Sequence, residues 1–154
     1  MKLGEELTMN DYQALAEFRY QIRRFLHFSE QAAREAGLEP QQHQLLLALK
    51  GLPEGRKATI RELAERLQIQ HHSTVELIDR MVERDLIQRS RDDEDQRRVF
   101  IKLTPQGEEV LRKLSLLHYT ELQTTGPALV RALNRLIDVE NKPVEVIPDV
   151  TDER

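Results

Sequence analysis

Arg97 and Arg98 stand just beyond Asp95 in a polar loop, with Arg89 on the loop's outgoing flank. Cations at such a tip can neutralise phosphates or enter the narrow, electronegative minor groove of A·T-rich DNA. Asp95 is spaced to hold the Arg97 guanidinium extended through a bidentate pair. The plain alternative, an exposed arginine merely paired with Asp95, is compatible with that role and adds little stability by itself. A second group is His71, His72, Ser73, Glu76 and Arg80, with Gln70 just before it. Arg80 suits guanine, Glu76 can accept from cytosine N4, and the histidines and Ser73 suit phosphates or base edges. Ser73 and Glu76 also fit a capping box, in which case Glu76 is structural and its helix begins later.

Other chemistry is poorly supplied. His72 and Glu76 are four apart with His71 nearby, but no third metal ligand lies at a useful spacing. Asp92, Asp93, Glu94 and Asp95 lack the glycine and distal glutamate of a calcium loop and read as a solvated acidic turn. An oriented nucleophile, a phosphate-cradling glycine loop and paired carboxylates in a cleft are all missing, so no enzyme, metal or cofactor is expected. The absence of cysteine excludes disulfides and a thiol redox sensor, and the expectation is a cytoplasmic protein. No signal peptide or membrane span is read from the sequence.

The elements that position these residues follow from periodicity. Val99, Ile101 and Leu103 alternate with Phe100 and Lys102, which predicts a strand ending near Leu103, where Thr104-Pro105 supplies a helix cap and a proline at the first helical position. Leu86 to Arg89 is the outgoing strand of that hairpin. Upstream, Thr59-Ile60-Arg61-Glu62 is a capping box, and Ile60, Leu63, Ala64 and Leu67 give one face of a short helix. Gln68-Ile69-Gln70 is a turn, and the next helix runs to about Arg84 with Thr74, Leu77, Ile78 and Met81 buried. Two short helices, a turn and a hairpin make a helix-turn-helix with a wing.

Flanking this unit, Leu15, Phe18, Ile22, Phe25, Ser29, Ala32 and Ala36 form the seam of a long helix from about Asn10 to Ala36, with Asn10 and Gln13 as its capping box. A stripe this sustained suggests packing against another subunit. Gly37-Leu38-Glu39-Pro40 ends it, and a helix follows over Gln41 to Lys50. After Thr104 a helix of about five turns carries Val110, Leu111, Leu114 and Leu117, and Gly126-Pro127 starts another with Leu129, Ala132, Leu133 and Leu136. The predicted fold is mainly α with a small β-hairpin wing, in which 38–103 is a winged helix-turn-helix, 1–37 and 104–138 are dimerisation helices, and 139–154 is an acidic, flexible tail.

Charge does not announce a nucleic-acid partner. The chain is net −4, and residues 56–102 carry 11 Lys/Arg against 10 Asp/Glu while the remainder carries 12 against 17. DNA binding therefore rests on placement rather than on a basic domain.

Leu63-Ala64-Glu65-Arg66-Leu67, then Leu77-Ile78-Asp79-Arg80-Met81 leading to Leu86-Ile87, Arg89, and above all Asp95-x-Arg97 followed by Leu103-Thr104 resemble in order and spacing the MarR family of winged helix-turn-helix transcription regulators. The resemblance covers about Leu38 to Gly107. It implies a homodimer with interlocked first and last helices, presenting two winged modules to a palindromic operator on double-stranded DNA, usually as a repressor. It also implies recognition helices in the major groove and wing arginines in the adjacent minor groove. Three positions depart from the family pattern: Asp85 replaces a common glycine at the end of the recognition helix, Gln68 replaces a frequent turn glycine, and Glu76 stands where many relatives place a polar or basic residue.

Tyr20, Phe25, Phe28, His43 and Leu46 fall where family members often form an effector pocket, which commonly takes small aromatic or phenolic acids. On residue chemistry alone, core packing is the better reading of each. The competing function is a winged-helix protein-interaction module without specific DNA binding, which the near-neutral charge of residues 56–102 favours.

Overall fold

The computed structural model describes residues 6–137, so the tail expected over 139–154 lies outside the described residues. Five helices and one hairpin follow in the order α1 (Met9–Glu35), α2 (Pro40–Lys50), α3 (Ile60–Leu67), α4 (His71–Glu83), β1 (Ile87–Arg91), β2 (Val99–Leu103) and α5 (Pro105–Asn134). This is the expected mainly helical winged helix-turn-helix flanked by long terminal helices.

The cap of α1 differs from the expected Asn10 and Gln13. Thr8 takes that place, its hydroxyl accepting the Asp11 N–H at 3.3 Å while the Asp11 carboxylate accepts the Thr8 N–H at 2.8 Å. A carboxylate is the stronger acceptor and also favours the positive end of the helix dipole. Asn10 instead accepts from Arg135 at 3.2 Å, joining the start of α1 to the end of α5. Ala14, Gln21, Ser29, Ala32 and Ala33 are the buried residues of α1, whereas Leu15 of the expected seam is 47% exposed.

A second correction concerns Gly126-Pro127. They do not start a new helix, because α5 runs unbroken through them for 30 residues. An interior proline removes one helical N–H and costs roughly 3 kcal/mol. Packing of α5 along α1, anchored by buried Leu114 on one side of the proline and Ala132 on the other, offsets that cost.

Between these long helices, α3 and α4 form the helix-turn-helix. Thr59 caps α3 by accepting the Glu62 N–H at 3.1 Å. Gln68 (φ 53°) ends α3 and Asp85 (φ 57°) follows α4, both in the left-handed region usually left to glycine. The Leu86 N–H reaches back to the Met81 carbonyl at 3.1 Å, closing the end of α4. Leu45, Leu46, Leu63, Ile78, Met81, Leu86 and Ile87 are essentially fully buried and knit α2, α3, α4 and the hairpin into one core.

Pairing in the hairpin is antiparallel, with Ile87 opposite Leu103, Arg89 opposite Ile101 and Arg91 opposite Val99. The outgoing strand therefore extends two residues beyond its expected end at Arg89. Thr104 locks the hairpin to α5: its hydroxyl donates to the Asp85 carbonyl at 2.6 Å and accepts the Gly107 N–H at 3.1 Å. Gly107 lies so close to the preceding turn that an added Cβ would meet the Leu86 carbonyl oxygen at 2.0 Å. The Leu-Thr-Pro-x-Gly run is thus the joint between the wing and the long terminal helix.

Candidate nucleic-acid interface

α4 begins at His71 with Gln70 as its N-cap residue, and Gln70 makes no side-chain capping bond. Ser73 and Glu76 accordingly lie inside the helix, and the alternative in which they cap a later start does not hold. The Gln70 carbonyl accepts both the Thr74 N–H and the Thr74 hydroxyl, each at 3.0 Å. Thr74, Leu77, Ile78 and Met81 form the buried face, so Gln70, His71, His72, Glu76 and Arg80 are left exposed and Ser73 half-buried. Among the described residues no ion pair engages Glu76 or Arg80. Such groups are available for base edges or phosphates.

Arg89 is differently placed. Its guanidinium pairs with the carboxylate of Asp79 on α4, joining the base of the wing to the helix. Asp79 carries no local signal for this role, since the pair spans two elements.

At the wing tip the Asp92 N–H donates to the Arg98 carbonyl at 3.0 Å and the Arg98 N–H to the Asp95 carbonyl at 2.9 Å, so the loop is tightly tied. Asp95 does not grip Arg97 bidentately. One oxygen, Oδ1, accepts both the Arg97 main-chain N–H at 3.1 Å and its Nε at 3.2 Å. The Arg97 side chain is 92% exposed, and its terminal nitrogens remain clear of the pair. Arg98 sits over the Phe100 ring, 5.7 Å from its centroid.

The residues expected to form an effector pocket do not all line one cavity. Leu46 is wholly buried in the core. Phe25, Phe28 and His43 surround His118 of α5, their ring centroids 6.0, 5.4 and 4.9 Å from it. His118 also bonds the Ser29 hydroxyl at 2.8 Å and the Leu114 carbonyl at 2.7 Å. Burial and then the neighbouring His118 lower the pKa of His43 from 6.5 to about 4. Tyr20 lies apart and exposed. Together with Phe28, Arg23, Arg24, His27 and Glu121 it lines an open groove of about 650 Å³. Sequence reasoning missed His118, although its position four residues after Leu114 places it on the buried face of α5.

The family model for the MarR family matches residues 36–98. The HTH-type transcriptional regulator YsmB of Bacillus subtilis is 29% identical over 112 residues, covering 70% of this chain and 75% of its own length. Among solved structures, the MarR family regulator AbsC of Streptomyces coelicolor superposes with a TM-score of 0.69 at 23% identity, over 85% of this chain and 91% of that one. A MepR variant of Staphylococcus aureus bound to an oligodeoxyribonucleotide superposes with a TM-score of 0.61 at 23% identity, over 79% and 84% of the two chains. Among the described residues no helix is long and apolar enough to cross a membrane.

Proposed function

We propose that this chain is a transcription regulator of the MarR type, a repressor that binds a palindromic operator on double-stranded DNA as a homodimer; the family-model match over residues 36–98 and the similarity to YsmB and AbsC support this reading. The observation that carries this reading is the combination of Arg97 at the wing tip, its side chain 92% exposed and held by Asp95 only through Nε, with an exposed polar face on α4. Gln70, His71, His72, Ser73, Glu76 and Arg80 enter the major groove. Arg97 reaches the adjacent minor groove with Asp95 as its support, and Arg89 and Arg98 add positive charge along the wing. Residues 38–103 are then the DNA-binding module and the long terminal helices the dimerisation platform.

Unpartnered apolar side chains on the long helices support the homodimer. Tyr12 and Leu15 of α1 are 56% and 47% exposed, and Tyr119 and Val130 of α5 are 72% and 56% exposed. Burying them against a second copy removes apolar surface from water at about 25 cal/mol per Å². A small aromatic or phenolic acid releases the operator by favouring a dimer whose modules are wrongly spaced, and a tenfold release requires about 1.4 kcal/mol of differential affinity between the two shapes.

Sedimentation velocity of the wild type and of Tyr119→Glu/Val130→Glu, with duplex titrations of both, tests the proposal. The wild type is expected to be a dimer and the variant a monomer with sharply weaker DNA binding. A monomeric wild type that binds DNA fully would remove the dimer. A dimer with no affinity for any duplex would favour the protein-interaction reading.

A further inference from the structure

Near the distal end of the wing, one ring gathers two cations, of which Lys57 belongs to neither the recognition helix nor the wing. Phe100 of β2 is half-buried, and two positive groups lie against its ring: Lys57 Nζ at 5.4 Å and the Arg98 guanidinium at 5.7 Å from the centroid. Lys57 comes from the connection before α3. It is brought to the wing because the Ile101 N–H donates to the Ala58 carbonyl at 3.0 Å, laying residues 57–59 beside β2. Three neighbouring arginines are ion-paired, Arg56 with Glu62, Arg89 with Asp79 and Arg97 with Asp95, while Lys102, two residues along β2 from Phe100, has no ion pair among the described residues. Among the described residues neither Lys57 nor Arg98 has a carboxylate partner.

Two like charges around one ring repel each other, and the ring's negative face lessens that repulsion while restricting two otherwise mobile side chains. Such an arrangement is suited to a polyanion that neutralises both. We propose that Phe100 is a positioning residue that presents Lys57 and Arg98 jointly to the phosphate backbone, which makes Lys57 a DNA contact outside both the recognition helix and the wing. This rests on the DNA-binding reading above. Because phosphates carry no sequence information, the contact strengthens binding to every duplex alike.

The test is the affinity of the full chain for a random-sequence duplex from 50 to 200 mM salt, for wild type, Lys57→Ala, Phe100→Leu, Phe100→Tyr and Arg97→Ala, with thermal melts to verify folding. Lys57→Ala is expected to reduce the slope of log K against log salt by about 0.9 per bound subunit. Phe100→Leu keeps both charges yet is expected to lose affinity several-fold and to flatten the slope, whereas Phe100→Tyr, which keeps the ring, restores both. If Lys57→Ala leaves slope and affinity unchanged while Arg97→Ala lowers them, Lys57 is no phosphate contact and the proposal fails although DNA binding stands. If Phe100→Leu and Phe100→Tyr both match the wild-type slope, the ring is merely structural and the positioning role is overturned. A wild type with no salt-dependent binding would defeat the DNA-binding reading itself.

Discussion

Acidification should destabilise this protein through His43. The ring is 2% exposed and packs at 4.9 Å against His118, the titratable group that acts on it; Gln44 on the same helix approaches its Nδ1 at 3.4 Å. His118 is itself held by two hydrogen bonds, Nδ1 to the Leu114 carbonyl at 2.7 Å and Nε2 to the Ser29 hydroxyl at 2.8 Å. A proton on His43 is therefore placed in a buried site against a second imidazole. Burial first, and His118 second, lower its pKa from 6.5 to about 4. Between those values the unfolded chain carries the proton and the folded chain does not, so stability fully present above pH 6.5 is lost as pH falls toward 4. At about 1.4 kcal/mol per pH unit the loss amounts to roughly 3 kcal/mol, a large part of the ~5–15 kcal/mol typical of a domain. The assay is urea unfolding of wild type and His43→Leu at one fixed protein concentration, from pH 7.5 to 4.5. Carboxylates titrate in both proteins, so the difference between them isolates the imidazole. Wild type should lose about 2 kcal/mol more than the variant between pH 6.5 and 4.5. Parallel losses within about 0.5 kcal/mol would refute the argument that a buried neutral His43 is linked to folding.

Three further substitutions probe the joints around the interface. Gly107→Ala forces a methyl group onto the Leu86 carbonyl oxygen at 2.0 Å and should cost about 3 kcal/mol or prevent folding, read as a fall in Tm. Asp85→Gly relieves a left-handed backbone at φ 57° and should raise stability by about 1 kcal/mol in urea unfolding, with DNA affinity unchanged. Asp79→Asn removes the partner of Arg89. Because that pair is solvent-exposed, stability should change by less than about 1 kcal/mol, while freeing the wing from α4 should lower duplex affinity several-fold in a binding titration.

Many features set by neighbours in the chain were disclosed by the residues, although the equally local Thr8–Asp11 capping box of α1 was not, because Asn10 offers a competing cap two residues on. Thr59 and Thr104 cap their helices because the accepting hydroxyl and the donating N–H are three residues apart, and Val99 to Leu103 alternates as a strand must. Features set by distant packing were hidden. Nothing local to Gly126-Pro127 reveals that α5, packed along the distant α1, stays continuous through the proline. β1 extends to Arg91 because Val99 is there to pair with it, not because Ser90 or Arg91 favours a strand. The candidate interface divides in the same way. The exposed face of α4 follows from helical periodicity, whereas the Arg89 pair with Asp79, the approach of Lys57 to Phe100 and the gathering of Phe25, Phe28 and His43 around His118 all depend on how elements dock. Asp95 was legible as a partner for Arg97, but its single-oxygen geometry was not, because the same oxygen also accepts a main-chain N–H of the tight loop.

Under the proposed function, two copies of this winged module read an inverted repeat. The most direct measurement is selection from a random duplex pool by the purified full chain, followed by affinities of wild type and Arg97→Ala for the winning sequence. An enriched palindrome with half-sites roughly 10 bp apart centre to centre is expected, together with a loss of about 1–3 kcal/mol of binding in Arg97→Ala. Failure of ligand-free dimer to enrich any sequence above non-specific binding, or an enriched site bound equally well by Arg97→Ala, would contradict it.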